Sequence, residues 1–243
     1  MLLLALALAI VDGPLGPADR FTQTFNAVSG APALDAGDMV NFHGTFSAGM
    51  VPRDLPLLGV QVRDARGHGT AEQLARGIDW AVAHGARVVL AYPARVFERG
   101  DVPGDAATAA VRRALARDVL VVTSAGNLGE AITPLRFPLA TVPGVLAVGG
   151  LGRDGLPFKE SNRGPQIGLA AKAEGVCSTY AFGLHVGASC TSWAATQVAV
   201  VATQLRGRHP DWTAGQVSHW LQRTARPLPG VAYGRLDPEA ALR

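Results

Sequence analysis

Apolar positions along this chain fall into short runs that stop at glycine, proline or acidic residues, and these runs alternate with stretches of helical period. The runs predict strands over 2–11, 57–63, 87–92, 118–123 and 144–149. A continuous apolar run closed by turn residues reads as a parallel strand buried on both faces. The intervening segments predict helices over 44–50, 70–84, 104–117, 192–206 and 213–225. The segment 70–84 carries Leu74, Ile78 and Val82 on one stripe and Glu72, Arg76 and Asp79 off it, so one face is built for burial. Strands alternating with helices predict an α/β fold: three layers, α/β/α, around a mostly parallel central sheet. No internal repeat or low-complexity linker interrupts the pattern, and a single domain over 1–243 is expected. Ligands of such sheets bind beyond the carboxyl ends of the strands. Residues just after strands are therefore the ones to weigh.

Composition narrows the picture. Of 243 residues, 48% are apolar and 17% charged, enough for a well-buried core. The net charge of +3 comes from arginines scattered along the chain, so no basic face for nucleic acid is expected. The opening "MLLLALALAIVDG" is too short to span a membrane. It also lacks the basic start and small-residue cleavage site of a signal peptide. It reads instead as the first strand, stopped at "VDGPLG". The two cysteines, Cys177 and Cys190, are too few for a disulfide framework. They would pair only with Cα atoms within about 7 Å, and two small buried residues is the simpler reading.

Several residues carry candidate chemistry. Asp12 directly follows the first strand, where it either joins a site or caps a turn with Gly13 and Pro14. "HGT" occurs twice. After His43 comes the small, uncharged "FSAGM", suited to a helix buried near a site. After His68 comes the amphipathic helix, with Thr70 and Gln73 spaced as a capping box. His43 is therefore read as the functional histidine and His68 as a surface loop residue. Asn127 ends the run "VLVVTSAGN", where its amide either faces a developing oxyanion or closes an Asx turn. Ser192 opens an apolar helix, as a nucleophile or as a packing serine. "GLGRDG" at 150–155 has dinucleotide-loop spacing, but "LPFKESNRGP" comes next, where a helix is required. G-x-S-x-G, H-E-x-x-H and C-x-x-C are absent, so neither a nucleophile elbow nor a zinc site is expected.

A serine hydroxyl needs a histidine base, and that histidine needs a carboxylate to orient it. The chain order Asp12, His43, Asn127, Ser192 supplies all three. With "AIVDG", "HGTFSAGM", "TSAGN" and "CTSWAA" around these residues, the chain resembles the subtilisin-like serine proteases over nearly its whole length. Further likeness lies in "GHGTAEQLARGIDWAVAHGARVV" and in the closing "YGRLDPEAAL". The resemblance implies a subtilisin-like fold and a serine endopeptidase working through an acyl-enzyme. Ser192 would be the nucleophile, His43 the general base and acid, and Asp12 the orienting carboxylate. Asn127 and the Ser192 N–H would form the oxyanion hole. It implies a peptide or protein substrate, no cofactor, no membrane or nucleic-acid partner, and a monomer. A cytoplasmic location is expected, or a secreted one where a targeting segment or prosegment belongs to the chain.

The departures from the family pattern carry information too. Where the family usually has Gly-Thr-Ser-Met-Ala-Ser-Pro-His, this chain has "CTSWAATQ", so Cys190 replaces glycine and Trp193 replaces methionine. The family's cleft strand Ser-Leu-Gly-Gly is here "YPAR", which makes Tyr92, Pro93 and Ala94 the expected substrate-binding residues of an altered groove. "VPRDLPLLG" is too short for the family's common calcium loop, so no metal is expected there. "VDGPLG" is similar to subtilases that process natural-product precursor peptides. A catalytically degenerate subtilase that binds peptides is the alternative.

Overall fold

The structure, a computed structural model, describes residues 6–35, 42–92, 106–180, 184–229, 231 and 234–243. Strands β1 (Ala7–Asp12), β2 (Gln23–Asn26), β3 (Leu57–Gln61), β4 (Ala86–Ala91), β5 (Leu120–Ser124), β6 (Leu146–Leu151) and β7 (Ile167–Lys172) form one parallel sheet. Their order across it is β2-β3-β1-β4-β5-β6-β7. Helices α1 (His43–Gly49), α2 (Ala71–Ala83), α3 (Ala106–Ala116), α4 (Thr191–Arg208), α5 (Ala214–Arg223) and α6 (Pro238–Ala241) complete the layers. A separate antiparallel pair, β8 (Val176–Thr179) and β9 (His185–Ala188), lies against α1.

Strand β1 shows why the sheet is buried twice over. Its side chains alternate faces, so Leu8 and Ile10 enter the core shared with α4 and α5. Ala7, Ala9 and Val11 enter the core shared with α2 and α3. Helix α2 comes close to the sheet through Gly77, where a Cβ would stand 2.5 Å from a Val62 methyl and 3.0 Å from one of Val60. Thr70 caps α2 and Gln73 bonds back to it, the capping box expected from the sequence. Helix α4 is apolar all round because it is buried along nearly all its length, between the sheet and the outer helices.

All five expected strands are present, within three residues at each described end, and so are the five expected helices; residues 1–5 and 104–105 lie outside the described residues. Strands β2, β7, β8 and β9 were not anticipated. β2, β8 and β9 have four residues each and are only partly buried, too short to carry a pattern. No helix begins within residues 150–155; a tight turn after β6 takes their place. Cys177 and Cys190 are free thiols. Cys177 is exposed on β8, which corrects its reading as a buried residue. Among the described residues no helix is long and apolar enough to cross a membrane.

Candidate active site

The carboxyl ends of the central strands gather four elements at one place. β1 ends at Asp12, and its Oδ1 accepts the Gly13 N–H at 2.7 Å. Oδ2 lies 2.6 Å from Nδ1 of His43, the first residue of α1. Asp12 is fully buried, while the His43 side chain is 28% exposed and so still open to a ligand. The α1 backbone reaches Asp12 because Gly44 has no side chain: a Cβ there would stand 2.7 Å from the Pro14 carbonyl.

Burial alone would push the Asp12 carboxyl up. The charges of His43 and Arg63, with the hydrogen bonds from His43 and Gly13, outweigh this and hold it below the usual carboxylate range. Burial would likewise push His43 down. The charge and hydrogen bond of Asp12, helped by the Cys190 thiol, raise it to about 9. The ring is held between Tyr92, edge-on at 4.9 Å, and Trp193, tilted at 4.9 Å, with Phe46 stacked behind Trp193 at 4.0 Å.

Ser192 is the second residue of α4 and is 4% exposed. The residue before the helix, Cys190, caps it: the Ser192 N–H donates to Sγ at 3.2 Å. The Asn127 amide nitrogen also donates to this sulfur, at 3.4 Å. The thiol has His43 and the Ser192 hydroxyl as further hydrogen-bonding neighbours. Burial would raise the thiol; these neighbours hold it below its ordinary value. Among the described residues no hydrogen bond joins His43 directly to the Ser192 hydroxyl; Cys190 stands between them.

The loop after β5 is fastened to the start of α4. The Thr191 N–H donates to Asn127 Oδ1 at 2.8 Å, and the Gly126 N–H donates to Thr191 Oγ1 at 3.2 Å. Asn162 supports the same loop, accepting the Leu128 and Glu130 N–H groups and donating to the Ala125 carbonyl. Gly126 has φ of +100°, and a Cβ there would stand 2.3 Å from Asn162 Nδ2. Only glycine fits this turn.

Asp12, His43, Asn127 and Ser192, far apart in the chain, thus converge. Tyr92, expected among the substrate-binding residues, turns its side chain inward. Its side chain is fully buried behind the site, where its hydroxyl donates to the Ser192 carbonyl at 3.1 Å and bonds Thr196 Oγ1 at 2.7 Å. Burial pushes this phenol well above its ordinary value. The ring therefore braces α4 and packs edge-on against His43, so any contact of Tyr92 with a substrate would be made by its backbone. Pro93 and Ala94 lie outside the described residues. His68 is an exposed loop residue, 3.9 Å from Asp64.

Two contributors escaped the sequence reading. Arg63 comes just after β3 as Asp12 closes β1, so the strand-end rule applied to Asp12 would have found it. Asn162 gave no signal beyond an asparagine in a polar loop.

Comparison with known proteins places the chain among relatives. The sequence model of the Subtilase family matches residues 23–239. Asp12 precedes that span. The thermostable alkaline protease of Halalkalibacterium halodurans is 31% identical over 201 residues, covering 77% of this chain and 53% of that protein. Subtilisin Savinase of Lederbergia lenta is 29% identical over 231 residues, covering 89% of this chain and 82% of that protein. The chain spans 53% to 58% of three of the relatives, so it matches little more than half their length. Among solved structures, a mutant of the protease domain of PatA superposes with a TM-score of 0.80 at 27% identity, over 97% of this chain and 93% of that one. A protease of Pseudoalteromonas arctica shares the fold with a TM-score of 0.83 at 23% identity, over 98% and 89% of the two chains.

Proposed function

The chain belongs to the subtilase family, and from that premise we propose that it is a serine endopeptidase acting through Asp12, His43 and Ser192. The observation that carries this reading is the 2.6 Å contact between Asp12 and His43 at the end of β1, beside the start of α4. In the proposed reaction Ser192 Oγ attacks the peptide carbonyl while His43 takes its proton. Asp12 accepts the Nδ1–H and so keeps the ring in the tautomer that leaves Nε2 free for that proton. The new oxyanion is held by the Asn127 amide and the Ser192 N–H, the two donors that meet at Cys190. His43 then protonates the leaving amine. Water, activated the same way, releases the acyl group. The Cys190 sulfur has to yield its place to the substrate oxygen, so the first cost of binding is its displacement.

The experiment is labelling with a fluorophosphonate probe. The intact protein is labelled, Ser192→Ala abolishes it, and His43→Ala slows it by roughly 10³-fold or more. Labelling that survives in Ser192→Ala removes the assignment.

A second reading has one observation in its favour. Both oxyanion donors are already satisfied by Cys190, as in a protein that binds peptides without cutting them. Cleavage of a diverse peptide library, read by mass spectrometry, separates the two, and a narrow cleavage motif would identify a processing protease. Peptide binding with no cleavage and no probe labelling would favour the binding module.

A further inference from the structure

The Asp12 carboxylate serves two cations at once. Oδ2 faces His43, while Oδ1 takes the Gly13 N–H and an ion pair from Arg63 Nη2. Arg63 lies two residues beyond β3, whose register pairs Gln61 with Asp12. The Val62 N–H donates to the Asp12 carbonyl at 2.7 Å, so the β3 chain is still alongside Asp12 as Arg63 begins. The guanidinium is almost fully buried, its side chain 7% exposed. Its backbone is built in as well. Gln61 Nε2 donates to the Arg63 carbonyl at 2.9 Å, and the same amide is held by Asp35 at 2.6 Å and by Asn26.

We propose that Arg63 is a positioning residue for the reaction: its guanidinium, clamped on Asp12, sets how tightly Asp12 holds a proton on His43. The assignment deepens the triad reading and rests on it. A carboxylate with a second cation on its other oxygen attracts an imidazolium less strongly than a carboxylate alone. Arg63 therefore keeps Asp12 ionised in a buried place, fixes the rotation of the carboxylate, and makes His43 easier to deprotonate.

Among the described residues, other titratable and charged groups lie near His43 and its partners. Tyr92 faces it from the end of β4, and Cys190 from the start of α4. Asp35 stands behind Gln61. Asp64, next to Arg63 in the chain, accepts the Arg66 and His68 N–H groups in an exposed loop. Among these groups, Arg63 is the cation that the structure places on Asp12.

The test is a pH titration of His43 in the intact protein, by NMR of ¹⁵N-labelled histidine, with the resonance assigned by its loss in His43→Ala. Arg63→Met and Arg63→Gln remove the charge and keep most of the length; Arg63→Lys keeps the charge. The neutral variants should move the His43 midpoint upward by about one pH unit, the effect of one adjacent charge. Arg63→Lys should return it to within a few tenths of a unit of the unmodified protein. A midpoint that stays put in a folded neutral variant overturns the proposal. If neither neutral variant folds, Arg63 is a structural counter-ion and the tuning role is lost. The titration does not depend on turnover, so it can be judged apart from the endopeptidase reading. A moved midpoint in a protein that no fluorophosphonate labels would remove that reading and leave the coupling.

Discussion

The amide of Asn127 donates to the sulfur of Cys190 across 3.4 Å, and the Ser192 N–H meets the same sulfur at 3.2 Å. The donors proposed for the oxyanion are thus occupied by a side chain that the family pattern does not have. Replacing Cys190 by glycine frees both. The helix loses a sulfur cap, but glycine is itself tolerated there, at a cost of a few tenths of a kcal/mol. Cys190→Gly should keep its melting temperature and be labelled at Ser192 severalfold faster by a fluorophosphonate. Pretreatment with iodoacetamide should silence the unmodified protein and spare this variant. Slower labelling in Cys190→Gly would refute the view that the thiol competes with the substrate oxygen.

The proposed oxyanion role of Asn127 can be separated from its structural one by a single substitution. Its Oδ1 holds the Thr191 N–H at 2.8 Å, while its Nδ2, hydrogen-bonded to the Cys190 sulfur, is the donor proposed for the oxyanion. Asn127→Asp keeps the acceptor that fastens the loop to α4 and removes the donor. Loss of one such donor costs about 2.7–4 kcal/mol of barrier, roughly 10²–10³ in kcat. The expected result is that loss with KM within a few-fold and an unshifted melt, read by steady-state kinetics on a cleaved peptide. A kcat within threefold of the unmodified enzyme would leave the oxyanion to the backbone alone.

The pH dependence comes from the raised His43. Only neutral imidazole can take the serine proton, and His43 is raised from 6.5 to about 9 by Asp12 and Cys190 against its burial. Labelling should therefore climb as pH rises through about 9, not through 6.5. Stability moves the other way. A group whose folded pKa is raised contributes fully below its unfolded value and loses that contribution as pH rises through the folded one. Between pH 6.5 and about 9 the melting temperature should fall in the unmodified protein more than in His43→Phe. The depressed Asp12 acts at the acid end, with a contribution present above 3.8 and lost as pH falls below it. A flat labelling rate from pH 7 to about 10 would count against His43 as the base.

Much of this was legible in the chain because it rests on local rules. Buried parallel strands make unbroken apolar runs, and a candidate residue at a strand end is picked out by looking where the run stops; Asp12 and Asn127 are such candidates, and the fold brings them to one place. The environments of His43 and His68 were legible in the residues after each, a buried small-residue helix against a capped surface one. The direction of the Tyr92 ring was not legible, because sequence shows that an aromatic residue ends a strand, not which way its ring turns. Its side chain went inward to bond the Ser192 carbonyl. The ion pair of Arg63 with Asp12 joins residues fifty-one apart in the chain, and depends on sheet order, which no short stretch encodes. The bridging place of Cys190 was equally hidden, although its departure from the family's glycine marked it as unusual.

Gly44 is where fold and chemistry meet most closely. It lies in the first turn of α1, directly after His43, and a Cβ there would stand 2.7 Å from the Pro14 carbonyl and 2.8 Å from a Leu15 methyl. On an exposed helix, glycine to alanine stabilises by up to about 1 kcal/mol. Here the methyl meets backbone that cannot swing aside, so α1 has to move away from the β1 loop, at about 1–3 kcal/mol. His43 travels with it and loses its 2.6 Å contact with Asp12. Gly44→Ala should therefore melt earlier and be labelled by a fluorophosphonate at least tenfold more slowly at a temperature where it is still folded. The His43 midpoint in an NMR titration should drop toward 6.5 as its carboxylate partner recedes. A variant that is as stable and as reactive as the unmodified protein would mean that α1 does not set the Asp12–His43 contact through Gly44.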